Sequence, residues 1–515
     1  MFSRIYSAGT SGIQGRIITV EVDSHDGLPG IAMVGYLSSE VREAQERVRT
    51  ALRNSGFSLP PQKTVINLSP ASIRKAGTSY DLAIALGILG ALGKVNLEPY
   101  SNSLFVGELG LDGIIKPVRG VLPMVLTAKE EGFCRCFLPP GNQREGQAVR
   151  QMEIAAPESL KQCVEWLRHP DNIKKEARVQ GESLLCTASS EEEKDFSEVN
   201  GQLVLRRASE IAAAGQHNLL MLGEAGAGKT MVAQRIPTIM PPMSEKEQIE
   251  VSKIYSICGL LPKGETLMTK RPFRNPHHTI SPQALAGGGL VPNPGELSLA
   301  SEGLLFLDEL PEFSSRTIEI LREPLEEKRV TIARTHGTYV FPANVLLVAA
   351  MNPCPCGFYP DRNRCRCSSK QIRNYLGKIS KPILERFDIS AEAAPVTYQE
   401  LRITKGNENS EQIRQRVEAA REIQKHRFRN AQISCNSQMS GKDLKEYCKI
   451  SSTDEAFLEN VYRKKQLSAR AIHKIFKVAR TIADLDGRPS INHNDLCEAV
   501  GYRSLEGKYW EEERL

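Results

Sequence analysis

The 515-residue chain has no apolar run long enough to cross a bilayer. The longest, Leu82 to Gly93 (LAIALGILGALG), covers about twelve residues where a spanning helix needs about twenty, so it reads as a buried helix. The opening residues, MFSRIYSAGTSGIQGR, lack the continuous apolar core and cleavage site of a signal peptide. A cytoplasmic protein without membrane association is expected. Thiols stay reduced in that compartment, so the twelve cysteines are not read as a disulfide framework. Charge is not extreme either: a net +6 permits a polyanionic partner without arguing for one, because what matters is where the cations gather. There is no internal repeat and no disordered or collagenous bias. An apolar share of 40% and a charged share of 25% belong to ordinary globular domains, and the length suggests about three of them.

What is present divides along the chain. Residues 1–168 alternate strand-like pieces (Arg16 to Val22, Lys63 to Leu68) with helical ones (Ser39 to Asn54, Asp81 to Leu92), which predicts a mixed α/β unit. Residues 169–199 are polar, with an acidic cluster at Glu191 to Glu193, and read as a linker. A second α/β unit covers 200–394. From 395 to 515 apolar residues recur at three and four spacing, as in Gln412 to Lys425 and Ala469 to Ala483, predicting a small helical domain.

The strongest motif is NLLMLGEAGAGKT, Asn218 to Thr230, an apolar strand running into Gly223-Glu224-Ala225-Gly226-Ala227-Gly228-Lys229-Thr230 and then a helix. Its glycines let backbone N–H groups turn inward around a β-phosphate, Lys229 reaches the β and γ oxygens, and the Thr230 hydroxyl ligates Mg²⁺. Leu304 to Glu309 (LLFLDE) is a buried strand ending in two acids, Asp308 for Mg²⁺ and Glu309 as general base toward water. Asn352, the first polar side chain after the strand Val345 to Ala350, is either a turn residue or a group that orients water beside the γ-phosphate. Arg386, in PILERFD, is either a surface ion pair or a guanidinium supplied to a neighbouring subunit's γ-phosphate.

Together with Arg470 in LSARAIHKIFKVARTIADL, these residues resemble the AAA+ ATPases. The blocks RPFRNPHH, GELSLASEGLLFLDELPEF and FPANVLLVAAMNPCPCG are similar to the Mg-chelatase-like branch and, within it, the ComM/YifB group. The resemblance implies a phosphate-loop AAA+ module with a parallel sheet and a C-terminal helical lid, whose Arg470 contacts the γ-phosphate. It also implies ATP and Mg²⁺ as cofactors, a homo-oligomer, hexameric by analogy, and action on single-stranded or branched DNA as a helicase or branch-migration motor in natural transformation and recombination. A hairpin is implied before the Asn352 strand. The stretch Arg329 to Phe341 fits, and Arg329, Arg334, His336 and Tyr339 are candidate DNA contacts, with a merely solvated hairpin as the alternative. The cations from Val461 to Ala483 leave a solvated helix face as the alternative there too.

The first unit resembles the Lon-protease, S5-like α+β fold through GLPGIAMVGY, KAGTSYDLAIALGILGAL and GELGLDGIIKPVRGVLP. Ser79 falls near the nucleophile region, but no lysine stands between Lys116 and Lys129 where the catalytic base would follow, so a catalytically inactive domain is expected. The rival functions are a chelatase-type ATPase remodelling a partner protein, an ATP-dependent protease and a nucleotide-binding scaffold.

MNPCPCGFYPDRNRCRC, Met351 to Cys367, brackets an aromatic loop with two Cys-x-Cys pairs. Cys354, Cys356, Cys365 and Cys367 could close a tetrahedral zinc site, pack as reduced thiols or act as a redox switch among the interleaved arginines. The other cysteines are expected to be buried neutral thiols. His277 and His278, adjacent and without other ligands near in sequence, are expected to serve packing or pore contact.

Overall fold

The computed structural model describes residues 1–172, 194–262, 265–289, 291–334, 337–395, 407–431 and 433–510. Most of the expected linker, and His336, lie outside them. The chain forms two compact units, one of Met1–Ser189, Ser244–Thr269 and Arg334–Val340, the other of Ser190–Met243, Lys270–Ala333 and Phe341–Leu515.

The first unit is built on a seven-stranded mixed sheet in the order Gly30–Val34, Lys63–Ser69, Gln14–His25, Phe2–Ser11, Ser103–Phe105, Arg135–Phe137, Glu153–Ala155. Alternation along Gln14–His25 puts Ile18, Val20 and Val22 on the buried face. Against that face lies the helix Asp81–Ala91, almost wholly buried, as its uniformly apolar sequence requires. Gly87 allows the contact, since a Cβ there would stand 2.8 Å from Cγ2 of Val22. The helix Ser39–Asn54 buries only Val41, Ala44, Val48, Ala51 and Leu52, one stripe at helical spacing. The helix Glu245–Cys258, far along the chain, belongs to this unit as well. Its Ser256 donates to the buried Glu145 carboxylate and accepts at its carbonyl from Gly120 N–H at 3.0 Å.

The second unit carries a five-stranded, all-parallel sheet in the order Phe273–Arg274, Leu304–Leu307, Leu346–Met351, Leu219–Leu222, Ile389–Glu392. Helices cover such a sheet on both faces, so its strands read as continuous apolar runs, and Leu219–Leu222 and Leu304–Leu307 are buried at every position. Phe196, Ile236, Val417 and Ile475 share one core with these strands, so the C-terminal helices Ser410–Arg427 and Ala469–Leu485 pack into the same unit as the sheet. Both start at side-chain caps, Asn409 with a capping box to Gln412, and Ser468 accepting from Ala471 N–H. Arg329–Arg334 and Gly337–Pro342 form a two-stranded hairpin. Among the described residues, no helix is long and apolar enough to cross a membrane.

Candidate nucleotide-binding site

In an open parallel sheet, ligands gather beyond the carboxyl ends of the strands where the order reverses. Here Leu219–Leu222 sits between Leu346–Met351 and Ile389–Glu392, and the loop from Gly223 leaves its carboxyl end. Gly223 has no room for a side chain, because a Cβ would meet that of Ala393 at 2.6 Å. Gly226 and Gly228 lie at φ +79 and +82, and a Cβ on either would meet open space. The left-handed turns are what only glycine adopts freely, and the space they border is open to a phosphate. Gln202 fastens the loop from behind, its amide donating to Ala227 O at 2.9 Å and Ala394 O at 2.6 Å.

Lys229 opens the helix Lys229–Ile239 and turns its ammonium back into the loop, donating to Gly223 O at 2.7 Å, Glu224 O at 2.8 Å and Asn352 Oδ1 at 3.2 Å. Burial lowers its pKa, opposed by the charges of Asp308, Glu224 and Glu309. The Thr230 hydroxyl donates to Asp308 Oδ2 at 2.7 Å. Two oxygen donors this close, one of them a carboxylate, suit a hard divalent cation, and the open glycine loop suits the triphosphate, so the residues present fit Mg²⁺ and ATP. Asp308 Oδ1 accepts the N–H of Glu309, whose backbone sits at φ +53 and whose side chain is exposed. A non-glycine residue held left-handed is the kind of backbone strain that gathers at functional sites. Asn352 thus meets Lys229 directly.

Arg386 follows the short helix Lys381–Leu384, its side chain 12% exposed and paired through Nη2 with Glu326 Oε1 at 2.6 Å, while its buried Nε has no hydrogen-bond partner among the described residues. Arg470 stands in the first turn of Ala469–Leu485, 66% exposed, with only a loose approach of 3.7 Å to Glu385. Between them lies a buried polar knot. His217 contacts Asp388 Oδ2 at 3.4 Å and Thr481 Oγ1 at 2.8 Å, and Lys474 pairs with Asp388 Oδ1 at 2.9 Å. Burial would raise the Asp388 pKa, but Lys474 and His217 outweigh it and hold the carboxyl far below its usual range. Burial pushes His217 below its ordinary value. The alternative of a solvated cationic helix face is therefore corrected for three residues. Lys474 and Lys477 point inward, the latter donating to Ser437 O at 2.8 Å, and Arg480 is buried between Asp484 and the carbonyls of Arg488 and Pro489.

His278, expected to serve packing or pore contact, packs beside Glu309. Its Nδ1 lies 3.8 Å from Glu309 Oε2, and its ring meets Phe313 edge-on at 6.4 Å. His277 bonds Thr279 Oγ1 at 2.9 Å. On the hairpin, Val330 and Ile332 turn inward while Arg329, Thr331 and Arg334 are exposed and Tyr339 is half-buried. Arg329 pairs with Glu327 at 3.2 Å.

The four sulfurs of Cys354, Cys356, Cys365 and Cys367 all lie within 4.8 Å of one another. Of the scattered cysteines, Cys136, Cys163, Cys435 and Cys448 are buried as expected, with burial pushing Cys136 and Cys448 up to about 12. Cys134 and Cys497, which are exposed, and Cys258, which is half-buried, correct that expectation, and Cys186 lies outside the described residues. In the first unit Ser79 is 4% exposed and its hydroxyl donates to Ala8 O at 2.9 Å, while Lys75 donates to Pro70 O.

The chain is similar to known proteins over nearly all of its length. The family "Magnesium chelatase, subunit ChlI" matches residues 195–401, "Subunit ChlI of Mg-chelatase" matches 20–142, and "Magnesium chelatase, subunit ChlI C-terminal" matches 407–503. The competence protein ComM of Haemophilus influenzae is 39% identical over 505 residues, 97% of each chain. YifB of Escherichia coli is 38% identical over 506 residues, 98% of this chain and 97% of its own. Lon protease 2 of Bacillus subtilis is 34% identical over 107 residues, 21% of this chain and 19% of its own.

Proposed function

The chain belongs to the ComM/YifB family of magnesium-chelatase-type AAA+ ATPases, and from that membership we propose that it is a ring-forming motor that hydrolyses ATP to move along single-stranded or branched DNA. The observation that carries the reading is the convergence of Lys229, Thr230, Asp308, Glu309 and Asn352 at the carboxyl ends of three adjacent strands. Bound Mg²⁺ would supply charge neutralisation between the phosphates, held by Thr230 and Asp308. Lys229 and the loop N–H groups grip the phosphate oxygens. Glu309 accepts the proton of the attacking water, Asn352 orients that water, and Arg386 from a neighbouring subunit meets the charge that develops on the γ-phosphate. Arg470 closes the site from the helical side.

The exposed cations of the hairpin support DNA as the track, since phosphate contacts come first from lysine and arginine and bases stack on aromatics. A role on DNA taken up in transformation is in keeping with the word competence in the name of the Haemophilus relative, and recombination of that DNA is the step we assign to the motor. Remodelling a partner protein leaves that hairpin without a task. Proteolysis has no support, because the Ser79 hydroxyl is buried on a backbone carbonyl. The test is ATPase turnover with and without forked DNA. Turnover rises with DNA, Glu309→Gln lowers it about 10²-fold while keeping ATP bound, and Arg329→Ala with Arg334→Ala weakens DNA binding. Turnover indifferent to every DNA form, with no DNA retained alongside a non-hydrolysable analogue, removes the DNA step.

A further inference from the structure

We propose that Cys354, Cys356, Cys365 and Cys367 hold one structural zinc ion, and that this ion keeps the phosphate loop in its nucleotide-binding form. The second half rests on the nucleotide reading above. The measured Sγ separations are 3.3 Å for Cys354 with Cys356, 3.7 Å for Cys354 with Cys365 and 3.6 Å for Cys356 with Cys365. A disulfide needs about 2.05 Å. A zinc tetrathiolate with bonds of about 2.3 Å has tetrahedral edges of about 3.8 Å. The sulfurs therefore stand as ligands around a common centre, and no two stand as a bonded pair. Cys354 and Cys365 are buried and the other two half-buried, so the site is closed, with no open position for chemistry.

Backbone donors face two of the sulfurs. The Tyr359 N–H donates to Cys354 Sγ at 3.4 Å, and the Phe358 and Arg366 N–H groups face Cys356. Such outer donors orient metal-bound thiolates. Arg362 reaches the ligand segment itself, donating to the Cys367 carbonyl at 3.3 Å. The segment from Asn352 to Ser368 has no helix or strand of its own, so its form depends on what ties its ends.

What it presents is the back of the nucleotide site. Arg364, stacked at 4.1 Å over the Phe358 ring, grips Glu224 of the phosphate loop with both arms, at 2.8 Å and 3.1 Å. A Cβ on Gly357 would lie 3.6 Å from the Ala225 nitrogen, so the two loops run side by side. Asn352, which meets Lys229, is two residues before the first ligand. Tyr359 packs at 5.9 Å against Tyr509, whose hydroxyl bonds Glu392 at the end of the neighbouring strand. Four sulfurs on one ion thus fix Arg364, Gly357 and Asn352 at once, each against a different part of the phosphate loop.

The full-length protein, purified without chelator, is assayed for zinc by elemental analysis and for nucleotide affinity with a fluorescent ATP analogue. About one zinc per chain is expected, lost in the Cys365→Ser, Cys367→Ser double variant. Stripping zinc from the wild type should weaken nucleotide binding about tenfold, with recovery when zinc returns, which avoids reliance on a variant that does not fold. Arg364→Ala keeps the zinc and weakens nucleotide binding about threefold, as befits a half-exposed ion pair. Lys229→Ala keeps the zinc and loses the nucleotide, so a wrong nucleotide reading would show as zinc-bound wild type that binds no ATP. Metal-free wild type overturns the site, and unchanged nucleotide affinity after stripping overturns the coupling.

Discussion

Glu309 owes its neighbour His278 to the sheet. Phe273–Arg274 and Leu304–Leu307 are adjacent parallel strands, so the residues that follow each strand emerge side by side. An imidazole 3.8 Å from the carboxylate proposed as general base biases where that carboxylate points. His278→Ala is therefore expected to lower kcat severalfold with little change in KM, while His278→Asn, which keeps a polar tip, restores part of it. Steady-state kinetics read both, and an unchanged kcat in the alanine variant makes the contact incidental. The phosphate loop, Asp308 with Glu309, and Asn352 were legible in the sequence because their chemistry sits on fixed spacings after apolar strands. His278 was not, because its link to Glu309 runs across the sheet and 31 positions of chain separate the two. Arg386 was half legible. The sequence offered an ion pair or a trans-acting guanidinium, and the structure contains the ion pair, to Glu326, with an Nε unpartnered among the described residues.

The helix Ala469–Leu485 shows how the same composition takes two meanings at the scale of an element. A solvated face was an open alternative for its cations because the partners of three of them come from elsewhere: Asp388 from the end of the Arg386 turn, Ser437 from a short turn, and the carbonyls of Arg488 and Pro489. The acid on the helix itself, Asp484, falls just past the cationic stretch, and it receives both Arg480 and Arg427. The helix's existence was plain from apolar spacing, whereas the inward turn of its charges required the tertiary fold. The knot around His217 gives this element a pH dependence with a definite sign. His217 titrates below its ordinary 6.5 because burial disfavours the charged ring, so the unfolded chain binds that proton first and stability declines as pH falls below about 6.5. Asp388 is held below its ordinary 3.8, so its contribution is complete above about 4 and is lost under stronger acid. Both act in the same direction. The thermal midpoint followed by circular dichroism should fall from pH 7 to pH 4, and His217→Gln should flatten the upper part of that fall. A midpoint constant from pH 7 to pH 5 in the wild type contradicts a neutral buried His217.

For the whole molecule the decisive matter is whether a site is completed within one chain or across a seam. Arg386 is bound to Glu326 inside its own chain, so a role on a neighbour's γ-phosphate requires it to exchange one carboxylate for a triphosphate. That exchange is favourable where the neighbour brings greater negative charge into a drier pocket. Head-to-tail packing of identical chains supplies such a pocket at every interface, and it closes into a ring when the rotation allows. Two inactive variants then make a test that neither makes alone. Lys229→Ala cannot hold nucleotide but keeps its arginine, and Arg386→Ala holds nucleotide but lacks the arginine. In a mixed ring, a pocket of the second kind facing an arginine of the first kind is complete. Random assortment of equal amounts restores roughly a quarter of wild-type turnover, because half the pockets are of the working kind and half of those face a working arginine. Recovery must depend on mixing before nucleotide is added and must vanish on dilution below the assembly threshold. If the arginine acted within its own chain, every pocket in the mixture would stay incomplete and turnover would remain at the background of the separate variants.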